Sequence, residues 1–406
     1  MKNKSFTFLW TGQAAANCAD ILYTVALVSI VYSQSGSAMV VAMIPFVVTA
    51  AKFVSGLLAP ILVDKYRLKA LLAHSQLGKT FLLGILFVMV VWNSSHLSNY
   101  LIFTLVCFIS FLDGWAAPAR NAMLPRLVQR EELVKANSLV SIADQTTQLG
   151  SWAVGGILVA SINEGNVLLI SLFLYLAATV CMYLIHDPME LETSTGDSQP
   201  KWEAVKEGWI LIWTRSSLRS LHTIFTIEYI ANAVWIAAIL YIYVQEVLHM
   251  DKTWWGYINS SYFLGLIAGG FIGMKNSSWI DTKLSNVIII SSFGISAMTL
   301  AFGLISTPWL ALAICAIYGV MEQLKIISMQ TALQKSVTVQ QLPKVYSAQS
   351  ALISVVFGLS SLMFGYITDL FNVRFSFLIA AGLLCASALF AMANRNRFAK
   401  IETETQ

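Results

Sequence analysis

Residues 101–120 read LIFTLVCFISFLDGWAAPAR and residues 310–329 read LALAICAIYGVMEQLKIISM. Each stretch is long and apolar enough to cross a bilayer, which takes about 20 residues in a helix. Each also carries one carboxylate, Asp113 in the first and Glu322 in the second. An ionisable side chain in the hydrocarbon core is costly, so it marks a functional site by default. The two acids lie 209 residues apart, an offset that also sets Val128 on Val337, Leu133 on Leu342, Ser138 on Ser347 and Gly156 on Gly365. The ordered matches indicate an internal duplication.

Working outward, similar apolar runs fill the chain. They lie at 6–32, 38–63, 71–92, 100–119, 136–162, 167–185, 218–245, 253–274, 286–306, 309–333, 345–369 and 375–393. The composition agrees: of 406 residues 57% are hydrophobic and 11% charged, with a mean hydropathy of +0.70. Soluble domains are nearer a quarter charged. The expected fold is an all-α membrane protein of twelve transmembrane helices in two pseudo-symmetric six-helix bundles. The first run is too long for a signal-peptide core and lacks an A-x-A-like site, so it reads as a spanning helix. The five cysteines all fall in apolar runs and read as packing residues, not as a disulfide framework or metal site.

The charges orient the chain. Of 25 Lys and Arg residues, twenty fall on the side of the amino terminus and only Lys252 and Arg374 on the other, leaving Lys52, Lys79 and Lys325 within helices. By the positive-inside rule both termini are then cytoplasmic. The polar stretch from His186 to Lys201 reads as a linker. Trp202, Val205, Trp209 and Ile212 follow at helical spacing, near Lys201, Lys206 and Arg215, and suggest an amphipathic helix on the membrane face. The expected organisation is an amino-terminal bundle at 1–185, a linker with that helix at 186–217, and a carboxy-terminal bundle at 218–406.

Polar side chains within the runs fall on single helix faces. Gln13, Asn17, Asp20 and Thr24 form one stripe, Asp144, Gln148 and Trp152 a second, and Glu228, Asn232 and Trp235 a third. Such faces cannot meet lipid without leaving polar groups unsatisfied. They serve either as hydrogen-bonding glue between helices or as the wall of a water-filled pathway. The pathway reading applies first to Asp20 and Glu228. Asp113 and Glu322 can instead form structural ion pairs: Lys325 lies one turn beyond Glu322, and Lys52 can reach Asp20 or Asp113. Five intramembrane carboxylates against three lysines leave acids over, so at least one is expected to exchange protons.

Met321 and Met329 suit an adaptable pocket, and Trp115, Trp152 and Trp235 lie deep enough to stack on a lipophilic molecule or to pack helices. AHSQLGKT at 73–80 imitates a phosphate-binding loop, but Ala73 replaces its first glycine and no strand precedes it. Lys79 is therefore expected to snorkel toward the cytoplasmic face. The hydrolase motifs His-Glu-x-x-His and Gly-x-Ser-x-Gly are absent, so the chain is not expected to be an enzyme. No cofactor, metal or nucleic-acid partner is called for.

Two motifs point further. PILVDKYRLK at 60–69 resembles the Gly-x-Leu-x-Asp-Arg-x-x-Arg-Lys motif joining the second and third helices of the major facilitator superfamily. PARNAMLPRLV at 118–128, followed by Leu133, Ala136–Ser138, Gly150 and Gly155, is similar to the macrolide-efflux and siderophore-export branch of that superfamily. The resemblance implies twelve helices, alternating access and proton-driven export from a bacterial plasma membrane by a monomer. It also implies that Asp64 and Lys65 form a conformational latch. Pro60 and Leu68 depart from the motif, as does Ser151 from the proline that many exporters have there. The expected activity is proton-coupled efflux of amphiphilic, drug-like small molecules. A dedicated exporter of one metabolite such as a siderophore is the alternative, and a non-transporting receptor is disfavoured by the short loops. The residues expected along the substrate and proton pathway are Gln13, Asn17, Asp20, Lys52, Asp113, Asp144, Glu228, Asn232 and Glu322.

Overall fold

A computed structural model describes residues 3–92, 98–187, 201–251 and 253–397. The described residues contain helices and no strand. Backbone groups in a bilayer must be satisfied within the protein, and a helix does this within each segment. The helices are α1 (Lys4–Ser35), α2 (Ala38–Lys65), α3 (Leu68–Trp92), α4 (Asn99–Leu127), α5 (Leu133–Leu184), α6 (Lys201–Thr214) and α7 (Ser216–Asn232). They continue as α8 (Ala237–Glu246), α9 (Thr253–Lys275), α10 (Ser277–Asp281), α11 (Leu284–Leu304), α12 (Pro308–Ser336), α13 (Leu342–Leu370) and α14 (Val373–Ala393).

Their ends follow local chemistry. The Asn3 side chain accepts a hydrogen bond from the Ser5 amide at 2.9 Å to start α1, and Gly36 ends it in the left-handed region at φ 61°. Asn372 caps α14 in the same way, accepting from the Phe375 amide at 2.8 Å. Within α5, Asn163 breaks the helical geometry at φ 66°, ψ 167°, so the element comprises two segments. That break falls in the expected connection between the fifth and sixth spans. Taken together, α7 and α8 are long and apolar enough for one span with a 45° bend. Counted so, the helices other than α6 and α10 supply the twelve expected spans.

Among the described residues, nine helices are long and apolar enough to cross a membrane, or ten with the bent pair. The α5 element counts once there although it holds two segments. Helix α9 falls outside that count; its apolar run is diluted by Asn259, Ser260, Ser261 and several glycines.

The chain forms two compact units. The first comprises Met1–Gln129, Thr146–Trp209 and Val339–Ser350, and the second Arg130–Gln145, Ile210–Thr338 and Ala351–Gln406. Neither is a contiguous half, because the first turns of α5 and α13 pack away from their own repeat. Arg130 Nη2 donates to the Lys335 carbonyl at 2.8 Å, and Asn137 donates to Thr331 and Gln334 at 3.0 and 2.8 Å, all within the second unit. Lys344 pairs with Glu207 of α6 in the first. This contact, which the amphipathic pattern of α6 did not reveal, ties that helix to protein as well as to any membrane surface.

Within the first unit α4 packs on α2 and α3; within the second, α12 packs on α9 and α11. The duplicated sequence therefore repeats its packing, with the fourth helix of each repeat against the second and third. The seams are close. A Cβ at Gly114 would lie 2.8 Å from the Lys52 carbonyl oxygen, and one at Gly319 would meet the Tyr262 carbonyl. The apolar cores flank these seams: Leu83, Leu86, Val106 and Ile109 are buried in the first unit, and Phe302, Ile314, Phe364 and Phe377 in the second.

Candidate functional site

In the first unit α1, α2, α3 and α4 bring four charged side chains together. Lys79 Nζ lies 2.8 Å from Asp113 Oδ1 and 3.2 Å from Asp20 Oδ2, while Lys52 Nζ lies 2.8 Å from Asp113 Oδ2. Tyr175 donates its hydroxyl to Asp20 Oδ1, and the Lys79 ammonium sits 5.0 Å from the Tyr175 ring centroid. Two acids and two bases are thus neutralised around a phenol. The snorkelling expectation for Lys79 is corrected here. The residue is 1% exposed, and two carboxylates within reach hold the ammonium better than a stretch toward distant headgroups would. Gln13 donates to Asn17 at 2.6 Å along α1, one helical turn before Asp20.

In the second unit Lys325 pairs with Glu228, which also accepts from Ser387 Oγ at 3.0 Å. Lys325 therefore bridges α12 to α7; the expected partner on its own helix, Glu322, is held differently. Tyr262 donates to Glu322 Oε2 at 2.9 Å, and Tyr318 donates to Asn232 Oδ1 at 3.1 Å. These groups border a cavity of about 220 Å³, lined also by Trp235, Leu240, Asn259 and Phe357. Trp235 packs tilted against aromatic rings, 4.9 Å from Tyr318 and 4.8 Å from Phe302. Its indole N–H is buried without a partner among the described residues.

The remaining expected positions are scattered. Asp144 lies part-buried on α5 within the second unit. Lys65 is exposed at the end of α2, its ammonium 5.5 Å from the Tyr66 ring centroid, and the Asp64 side chain lies outside the described residues. Of the three deeper tryptophans only Trp235 lines the cavity: Trp115 donates to Ser75 at 2.6 Å, and Trp152 is 55% exposed. Met329 is core. Tyr175, Tyr262 and Tyr318 were not anticipated, because a tyrosine in an apolar run gives no signal until its hydroxyl finds a carboxylate or an amide.

This arrangement is that of a membrane protein with ionisable groups held inside each unit, and the comparisons agree. An MFS-type transporter of Bacillus subtilis, YfmI, is 28% identical over 96% of both chains. Macrolide efflux protein A of Streptococcus pyogenes is 21% identical, covering 97% of this chain and 96% of its own. The crystal structure of the human organic anion transporter MFSD10 superposes with a TM-score of 0.76 at 11% identity, over 96% of this chain and 99% of that one. These relatives are transporters, not enzymes. The family model of the Major Facilitator Superfamily matches residues 9–352, most of the chain, and the chain belongs to that superfamily.

Proposed function

We propose that the protein exports amphiphilic, macrolide-type small molecules across the cytoplasmic membrane by alternating access, driven by proton entry. The carrying observation is that ionisable side chains sit in the middle of apolar spans in both units, with Lys79 1%, Lys325 3% and Glu228 8% exposed. A helical bundle needs none of these groups to fold, and intramembrane ionisable residues are expensive unless they work. The similarity to a macrolide efflux protein over nearly the full length supports the same reading.

The pairs suit coupling. A carboxylate bound to an ammonium keeps two charges neutral while the helices that carry them stay together. A proton arriving on the carboxyl lets the pair separate and the helices move. Losing that proton on the other side restores the pair. Asp20, between Lys79 and Tyr175, and Glu228, between Lys325 and Ser387, both have this arrangement. The reading places both termini in the cytoplasm and takes a single chain as the working unit. Asp64 and Lys65 then act as a latch, so Asp64→Asn slows transport while substrate affinity stays nearly unchanged.

Proteoliposomes with an imposed pH gradient test the coupling. Asp20→Asn or Glu228→Gln is expected to abolish gradient-driven accumulation while retaining substrate binding or passive exchange. If both variants concentrate substrate as well as the parent does, coupling lies elsewhere, with Asp113 and Glu322 next. Coupling that survives loss of all four acids would overturn carboxylate-based antiport.

A further inference from the structure

In the second unit the lysine one turn beyond Glu322 makes its ion pair with a different acid. Lys325 is taken up by Glu228. Glu322 Oε2 accepts from the Tyr262 hydroxyl at 2.9 Å. Tyr262 is followed by Tyr318, ring centroids 5.9 Å apart, and Tyr318 by Trp235 at 4.9 Å. Four aromatic rings, those of Trp235, Tyr262, Tyr318 and Phe357, and one carboxyl group thus border the same cavity of about 220 Å³, with Leu240 and Ile258 in its apolar lining. A pocket that engulfs a drug-sized molecule is typically larger, about 300–1,000 Å³. This one fits a head group and a ring or short chain.

From this geometry we infer that the cavity beside Glu322 is a binding subsite for an organic ammonium group, held by the Glu322 carboxylate and by the faces of Trp235, Tyr262 and Tyr318. Aromatic faces attract a cation through their quadrupole, tryptophan most strongly. A carboxylate supplies the opposite charge, and the hydrogen bond from Tyr262 fixes its side chain. A substituted ammonium suits the site better than a metal ion, because four aromatic rings line the wall and Glu322 is its single carboxylate. It also suits the site better than an anion, which Glu322 repels. The inference deepens the export reading and rests on it only in taking the bound cation as part of an exported molecule.

The test uses the purified full-length protein and benzyltrimethylammonium, with its uncharged carbon analogue neopentylbenzene as competitor, in equilibrium dialysis. The parent is expected to bind the cation, with neopentylbenzene displacing it at least tenfold less well than unlabelled cation. Glu322→Gln is expected to weaken binding tenfold or more, and Trp235→Leu about fivefold, with Trp235→Phe recovering most of the loss. Because a variant can fail to fold, each is judged only if it elutes as a single species. The competition on the parent needs no variant at all. Equal displacement by the neutral analogue, or unchanged binding in folded Glu322→Gln, overturns the subsite. Failure of the export reading looks different: the cation binds with the expected selectivity, yet no amphiphile accumulates in proteoliposomes under any pH gradient.

Discussion

At the matching position of the fourth helix in each repeat, Asp113 faces two ammonium groups at 2.8 Å whereas Glu322 faces a phenol at 2.9 Å. The 209-residue offset shows how the repeats came to differ: Ser261 stands where the first repeat has Lys52, and Ile288 where it has Lys79. Tyr262, next to Ser261, takes over the contact with the acid. The first unit thus satisfies its acid internally and has a closed charge account, while the second leaves its acid facing a cavity. The same helix packing supports both, so the difference lies in side-chain chemistry and not in the fold.

The strongest way to break this comparison is to remove the lysine that the first unit depends on. Lys79→Met leaves Asp20 and Asp113 buried without their shared cation and is expected to cost about 3–5 kcal/mol. It should appear as a large fall in the unfolding midpoint in detergent, and adding Asp20→Asn and Asp113→Asn should restore part of it. A midpoint within error of the parent would mean that the cluster is not a structural unit.

Asp113→Asn is the next largest. It keeps the shape but removes the charge between Lys79 and Lys52, and Asp20 still holds Lys79, so about 2 kcal/mol is expected. Chemical unfolding in mixed micelles measures this directly. Lys52→Met should cost under about 1 kcal/mol, because its side chain is 45% exposed and its pairing is screened. A double-mutant cycle with Asp113 gives the coupling, and a value as large as that for Lys79 would refute the ranking.

The smallest effect on stability is expected where the effect on binding is largest. In Glu322→Gln the amide oxygen can still accept from Tyr262, and no cation loses its principal partner. The stability change should therefore stay within about 1 kcal/mol, the usual net size of one hydrogen bond. A loss as large as that for Asp113→Asn would show that the two repeats use their acids alike.

Much of this was legible along the chain. Apolar runs, the basic bias of one side and the 209-residue echo gave the helices and the duplication, since hydrophobicity and charge act residue by residue. The same reading flagged Asp20, Asp113, Glu228 and Glu322 as functional candidates, because any acid in an apolar run is conspicuous. It did not reveal who meets whom. Lys79 looked like a snorkelling residue and proved to be the centre of a four-charge cluster. Lys325 looked like the partner of Glu322 and bonds Glu228 on another helix. Helical spacing specifies neighbours on one helix, but a side chain about 6 Å long finds its partner on whichever helix packs beside it. Sequence alone therefore determined that charges are buried in these spans. Only the packing of α1–α4 in one unit, and of α7, α9 and α12 in the other, decided which acid is neutralised and which still faces a cavity, because Coulomb attraction and hydrogen bonding act over a few ångströms.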